Sequence, residues 1–390
     1  MSGVPVLALN LHAGFACRQS GACCTAGWPI PVEPAAADAI RARACLPGTA
    51  LSTAGPLPDG AAAVLVPLPG GACPAFDRAG GNRCSVQTQL GHGGLPASCR
   101  HFPRVALLEE DAVRVTLSHF CPTAAWMLFT PAPERLAIVR DAAGIADRRE
   151  HEGFDARQTI PPFLRPGVAM DAGTCRVWER CVIGALDCDG LSAEAALAAT
   201  ARTAEAIRGW TAGATSLEDH AARAAAVAGA AGEPPARIMP LREALRLHAA
   251  AAGLVPAELR RPDLPAGLAE ADLGRVQPRW AAHARPVRRY LAARAFAAWS
   301  AYLGEGLRTQ VAMLAVALAA VRVEAAREAA LARRPLDDEM LHAAIRSADL
   351  LLHHLSDAAA LVGRFAGVEQ GPAQAFRRAI GIEATLTLIC

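Results

Sequence analysis

Seven cysteines, Cys17, Cys23, Cys24, Cys73, Cys84, Cys99 and Cys121, are the residues of this chain whose type and spacing could do chemistry. They run as Cys17-x5-Cys23-Cys24 and then singly, and thiolates are the ligands of zinc, soft metals and iron–sulfur clusters. Gly21 and Gly27 flank the pair, Gly81 precedes Cys84, and Pro74, Pro103 and Pro122 follow cysteines closely. Such residues let a backbone wrap around an inorganic centre and aim thiolates inward. Tetrahedral zinc and a cubane cluster each take four ligands, so seven thiols oversupply either, and some must support the ligands rather than bind. Cys45, Cys175, Cys181, Cys188 and Cys390 are read as standing outside this set.

A lone cysteine is ordinarily a small core residue, but seven in Gly/Pro-rich sequence point to metal. Their odd number, and an N-terminus without the cationic region and cleavage site of a secretory leader, argue against disulfides. Zinc sites usually show paired CxxC knuckles and none is present, which favours an iron–sulfur cluster over zinc as the alternative.

 The cluster expected is of the 4Fe-4S type. The C-x3-C-x2-C spacing of radical S-adenosylmethionine enzymes is missing as well, so a standard radical mechanism is not expected.

Other candidates each have a plainer reading. His92, His101 and His119 lie among the cysteines and could be ligands or proton carriers, but read better as supporting or surface histidines. Asp77, Glu109, Glu110 and Asp111 could attract an ammonium group, yet the last three read as a solvated turn between strands at Arg104 to Leu108 and Val113 to Leu117. Trp28 could shield a metal centre or wall a methylated amine, with packing the simpler role. Cys175, Cys181 and Cys188 read as core residues, and Arg285, Arg288, Arg289 and Arg294 as the wet side of an amphipathic helix. No glycine-rich segment follows a strand and opens a helix, which disfavours a Rossmann-type nucleotide site.

The elements that must position these residues divide in two. Residues 1–130 are Cys-, Gly- and Pro-rich, with short apolar runs at Ala62 to Pro67 and Val113 to Leu117, which predicts an irregular metal-binding region with a few short strands. Residues 131–390 are Ala-rich and predict a helical domain packed on it, so the fold class is mainly α. Helices are expected at Glu134 to Ala146, Cys175 to Leu186, Ala193 to Trp210, Leu217 to Ala231, Leu241 to Ala252, Val287 to Leu303, Leu307 to Arg333 and Asp337 to Phe365. Ser192 and Ser216 supply N-cap signals, and Pro161 to Pro166, Pro234-Pro235 and Pro256 to Pro265 break the helical pattern.

Five ordered pieces are similar to the flagellin lysine N-methylase family, within a wider cysteine-cluster family that chelates zinc or iron. They are Phe15-Ala16-Cys17-x5-Cys23-Cys24-x2-Gly27-Trp28-x-Ile30, Cys73-Pro-Ala-Phe-Asp77, Cys84-Ser-Val-Gln87-x2-Leu90-Gly91, Leu95-x3-Cys99-Arg-His-Phe-Pro103-Arg104 and Cys121-Pro-x-Ala-Ala125. The resemblance covers residues 15–129; beyond them only Tyr290-Leu291-x2-Arg294-x-Phe296 and Arg346 with His353 or His354 match, and loosely. Ser20 stands where the small cysteine-cluster proteins carry a further cysteine, and a hydroxyl replaces a thiolate poorly, so later cysteines would supply ligands. The resemblance implies methyl transfer from S-adenosylmethionine to a lysine of a protein substrate, flagellin, by an enzyme holding an iron–sulfur cluster. A non-catalytic zinc- or iron-chelating protein is the alternative.

Composition narrows the partners. With a formal charge of +2 and no basic block, nucleic acid is not expected. The longest apolar stretch, Val311 to Val321, is shorter than the roughly 20 residues a bilayer needs, so it is read as a buried helix, with no membrane partner and a cytoplasmic location. Nothing in the sequence sets the oligomeric state.

Overall fold

The computed structural model describes residues 4–55, 57–142, 145, 153–213, 215–230, 239–256, 275–276 and 278–370. Pro234-Pro235, the stretch from 257 to Pro265 and Cys390 lie outside the described residues. The fold is mainly α with short strands, as composition and periodicity predict.

The strands are β1 (Val6–Leu9), β2 (Ile30–Val32), β3 (Leu51–Ser52), β4 (Ala63–Leu65), β5 (Phe76–Asp77), β6 (Arg83–Cys84), β7 (Arg104–Leu108), β8 (Val113–Leu117), β9 (Ile138–Arg140), β10 (Gly153–Asp155), β11 (Phe163–Arg165) and β12 (Val168–Ala169). Five form one sheet in the order β10-β7-β8-β1-β9, in which β7 and β8 are an antiparallel hairpin and β1 runs parallel to β8. The cysteine segments are organised on the small β2-β4-β3 sheet and the β5-β6 hairpin, around a separate apolar core that includes Ile30, Val32, Ile40, Leu65 and Val86.

Helix Leu307–Ala332 is buried on nearly every side and lies at the centre of the helical part. A helix apolar all round must be a core element, and its many alanines let neighbours approach closely. By length and composition it could cross a bilayer, but 94% of its most apolar window is covered by the fold itself. Helices Asp338–Asp349, Leu241–Ala252, Ala193–Arg208, Ala358–Gln370 and Ala284–Ala295 pack around it. Two of its charged residues are paired within this core: Glu324 with His248 at 3.1 Å, and Arg322 with Glu194 at 3.4 Å.

Helices Ala172–Leu186, Ala193–Arg208, Leu217–Ala230 and Leu241–Ala252 fall where the sequence places them. Ser192 caps its helix through the Ala195 amide at 3.0 Å, and Ser216 accepts from the Asp219 amide at 3.1 Å. Three expectations need correction. Residues 138–140 of the expected helix from Glu134 are strand β9, because Asn10 bonds the backbone at Arg135 and Ala137 and β1 offers an edge to pair with; 143–144 and 146 lie outside the described residues. The expected helix Val287 to Leu303 is two, Ala284–Ala295 and Ser300–Leu303, separated where Phe296 becomes extended and Trp299 donates to the Ala106 carbonyl at 2.9 Å. Asp337 to Phe365 divides into Asp338–Asp349, a widened π turn at Leu350–Leu355 and Ala358–Gln370.

That π turn surrounds the buried carboxylate that ties the sheet to the helices. Asp349, fully buried, accepts from Ser118 Oγ at 2.7 Å, the Phe120 amide at 3.2 Å, Tyr290 Oη at 3.3 Å and His353 Nδ1 at 3.1 Å, with Arg294 Nη1 at 3.9 Å. Ser118 Oγ also lies 2.7 Å from His354 Nε2. Burial opposes ionisation, but His353, Arg294 and His119 outweigh it and hold the carboxyl well below the usual range. Burial also pushes the His353 pKa down, so at neutral pH Arg294 is the cation that faces Asp349.

Asp349→Ala would leave four donors without their acceptor and is expected to cost about 3–5 kcal/mol in urea unfolding at pH 7. Because the folded pKa is depressed, Asp349's contribution is fully present above the ordinary carboxylate value of about 4 and is lost as pH falls below it. The stability gap between wild type and Asp349→Ala should therefore narrow at about pH 3 relative to pH 7.

Candidate metal centre

The five cysteine motifs come from loops and element ends rather than from one element. Cys17 is exposed in the loop before the Cys23–Thr25 3-10 turn, and its Sγ accepts from the Gln19 amide at 3.4 Å. Gly21 opens that turn at φ +73°, and a Cβ there would meet the Phe76 ring at 2.6 Å, so the position is restricted to glycine twice over. The Cys23 and Cys24 sulfurs are 3.9 Å apart. The Cys73 amide donates to the Cys24 carbonyl at 2.7 Å, and Phe76 pairs with Cys84 across the β5-β6 hairpin. Cys99 sits in helix Ala97–His101, whose first amide is held by Glu33 at 3.0 Å. Cys121 is buried at the start of helix Pro122–Met127.

Cys24, Cys73, Cys84, Cys99 and Cys121 each lie where the charge of another thiol reaches them. Burial raises the Cys99 pKa, and Cys73, Cys23 and Cys84 raise it further; burial raises Cys121, with Cys17 and Cys23 adding to it. Cys73 is pushed up to about 11 by burial and by Cys84 and Cys23. Cys24 is raised first by its hydrogen bond to Cys23, and that bond holds Cys23 at about 7. The described residues contain no group of three His, Cys, Asp or Glu side chains set closely enough to hold an ion as they stand. The donor chemistry suits a thiophilic centre: soft sulfurs near enough for their anionic forms to repel one another, which a bound cation would relieve.

Cys45 is a residue the sequence reading left out. It is buried in the same apolar core, its carbonyl accepts from Ser85 Oγ at 3.4 Å, and Cys84 feels its charge. Its position inside the Cys17 to Cys121 stretch was the available signal, and it makes the cysteine count of that stretch eight, which removes the odd-number argument against disulfides. The described cysteines are all free thiols.

The other candidates are distributed as follows. Trp28 packs against Phe102, Phe120 and His354, with ring centroids 4.8 Å apart for the last, and so joins the cysteine region to the helices. His119 is buried 3.3 Å from His12, and burial lowers its pKa to about 4, which keeps it neutral. His101 is buried, while His92 is exposed. Asp77 closes its own turn by accepting from the Gly80 amide at 2.8 Å. Cys175 and Cys181 are half-buried against the main core, and Cys188 is exposed rather than in the core.

Two readings change. Arg288 and Arg289 are buried, not solvated: Arg288 donates to the Leu186 and Leu191 carbonyls and Arg289 to those of Leu128, Thr130 and Pro133, fastening the connection between sheet and helices. Glu109 is not a free turn residue, because it accepts from Arg114 and from the Tyr302 hydroxyl. Glu109 and Arg114 line a cavity of about 120 Å³ enclosed between the β7-β8 hairpin and the helices, along with Cys175, Trp178, Glu179, Arg294, Trp299, Tyr302, Gln310 and His353.

In metal-free protein near neutral pH, iodoacetamide should modify Cys23 faster than Cys24, Cys73 or Cys99, since only its thiol is held at about 7. Peptide mass spectrometry over a time course checks the order; equal rates would refute the hydrogen-bonded pair. No family model, no curated protein and no solved structure matches this chain.

Proposed function

We propose that this chain is a protein-lysine N-methyltransferase of the flagellin lysine N-methylase type, using S-adenosylmethionine and holding an iron–sulfur cluster on thiols drawn from Cys17, Cys23, Cys24, Cys73, Cys84, Cys99 and Cys121. The observation that supports the reading is that Cys24, Cys73, Cys84 and Cys99, from four separated motifs, pack around one small apolar core, with the Cys23 sulfur 3.9 Å from that of Cys24. Packing alone does not require four of these thiols in one small core, and their anionic forms would repel one another without a cation.

In methyl transfer the carbon–sulfur bond of the sulfonium donor breaks as a carbon–nitrogen bond to the lysine forms. The amine must first lose its proton to expose a lone pair, which desolvation favours. The cavity, with carboxylates at Glu109 and Glu179 and aromatic walls at Trp178, Trp299 and Tyr302, offers a partly sheltered place for a cationic group. What an iron–sulfur cluster supplies when bound is a redox-capable, Lewis-acidic centre.

The test is metal and acid-labile sulfide content of anaerobically purified protein, with S-adenosylmethionine binding and methylation of added flagellin measured on the same preparation. A brown protein with iron and sulfide that methylates lysine is expected, and Cys99→Ser and Cys121→Ser should each lower the iron and sulfide content. The chain contains no lysine, so lysine methylation in the assay belongs to the added protein. A colourless protein with stoichiometric zinc and no methyl transfer would overturn the enzyme reading in favour of a metal-chelating protein. Unchanged iron and sulfide in both variants would refute the ligand assignment.

A further inference from the structure

Five side chains able to exchange a proton near neutral pH or above line the cavity between the β7-β8 hairpin and the helices: Glu109, Cys175, Glu179, Tyr302 and His353. Three of them are committed to one another. Glu109 and Glu179 both hold the Arg114 guanidinium, and Glu109 also accepts from the Tyr302 hydroxyl. Protonating either carboxylate would break an ion pair, and the Tyr302 proton is already placed. Burial pushes the Cys175 thiol up to about 12, so it keeps its proton at neutral pH.

His353 stands apart. It lies four residues after Asp349 on the widened π turn, and its Nδ1 is 3.1 Å from Asp349 Oδ1. Asp349 is held ionised and can only accept, so the proton of this contact belongs to Nδ1. Asp349 is itself fixed by Ser118, the Phe120 amide and Tyr290, which fixes the ring in turn. In a neutral imidazole with Nδ1 protonated, the lone pair is on Nε2. His353 Nε2 forms no hydrogen bond with any described residue, the ring lines the cavity, and 20% of the side chain stays accessible. Burial and Arg294 push the His353 pKa down, so the ring is neutral and its lone pair available at pH 7.

We infer that His353 is the general base of this cavity, its Nε2 taking the proton of a lysine ammonium, with Asp349 as the residue that positions the ring. The inference rests on the methyl-transfer reading and names the proton acceptor that reading requires. An ammonium N–H bond breaks, its proton goes to Nε2 and the electron pair stays on nitrogen. That pair forms the nitrogen–carbon bond as the methyl–sulfur bond of the sulfonium donor breaks, and sulfur leaves as a neutral thioether. The imidazolium left behind faces the Asp349 carboxylate, which stabilises it until the proton passes to solvent.

His353→Asn keeps a donor toward Asp349 and removes the lone pair on the cavity side. At pH 7 it should lower kcat for flagellin methylation roughly 100-fold or more, with circular dichroism, S-adenosylmethionine binding, iron and sulfide unchanged. The deficit should shrink at pH 9.5, nearer the ordinary lysine value of about 10.4, where more of the substrate amine is already free. The groups around the ring do not titrate between those pH values. Asp349 stays ionised, His354 and His119 are held at about 4, Arg294 keeps its charge, and burial raises Tyr290. Undiminished methylation by His353→Asn would overturn the inference, and so would a loss equally deep at both pH values, which marks a structural role. A wild-type protein that transfers no methyl group overturns the function and the base together, whereas transfer that survives in the variant overturns the base alone. A measurement independent of activity is carbethoxylation of wild type by diethyl pyrocarbonate at pH 7, read by peptide mass spectrometry. His353 should be modified; modification of exposed His92 with none at His353 would overturn the inference and leave the metal reading untouched.

Discussion

The structure depends on one buried carboxylate. Asp349 has no contact with solvent and collects a serine hydroxyl and a backbone amide from the end of β8, a tyrosine from helix Ala284–Ala295 and a histidine from its own widened turn. An ionised carboxylate in such a position is tolerated only when its lone pairs are filled, so each donor is fixed by the need of the one acceptor they share. The donors come from both halves of the chain, and the interaction therefore sets how the sheet stands against the helices. The π turn at Leu350–Leu355 follows Asp349 directly and brings His353 back onto it and His354 onto Ser118.

The same junction links the cysteine region to the rest. Ser118 and Phe120 lead into Cys121, and Phe120 packs with Trp28 four residues after Cys24. Trp28 touches both the main core and the cysteine core, so its indole acts as the packing bridge between them. Within the cysteine core, short sheets and tight turns carry the thiols because a run of helix or strand would spread its side chains along an axis. Gly21 shows how tight the arrangement is: its left-handed backbone and the Phe76 ring above it leave no room for a side chain.

The cavity lies on the other side of this junction, sharing β8 with it. Arg294 belongs to both, facing Asp349 on one side and lining the cavity on the other. Arg288 and Arg289, earlier on the same helix, fasten the chain at Leu186 and Leu191 and at Leu128, Thr130 and Pro133 by bonding main-chain carbonyls. Arginine suits this work because its fork of donors can hold several carbonyls at once while its stem is buried.

Much of the helical half was legible in the sequence because local signals suffice there. Ser192 and Ser216 cap where they are expected, and Leu241–Ala252 has the predicted ends. The β7-β8 hairpin was equally plain, since two short apolar runs flank a charged turn. The cysteines named themselves by type and setting, and Cys45, followed by Leu46-Pro47-Gly48, carried the same signal although it was left out. What the sequence by itself determined, then, was the class of most segments and the mainly α character of the whole. Only the tertiary structure decided that residues 138–140 pair as a strand, that Glu109 and the arginines turn inward, and that Ser118, Tyr290 and Asp349 meet. Those outcomes depend on partners from 50 to 230 positions away, roughly the separations over which Tyr290 and Ser118 reach Asp349. Local propensity carries no information about such partners, whereas a buried charge or hydrogen-bonding group must find them.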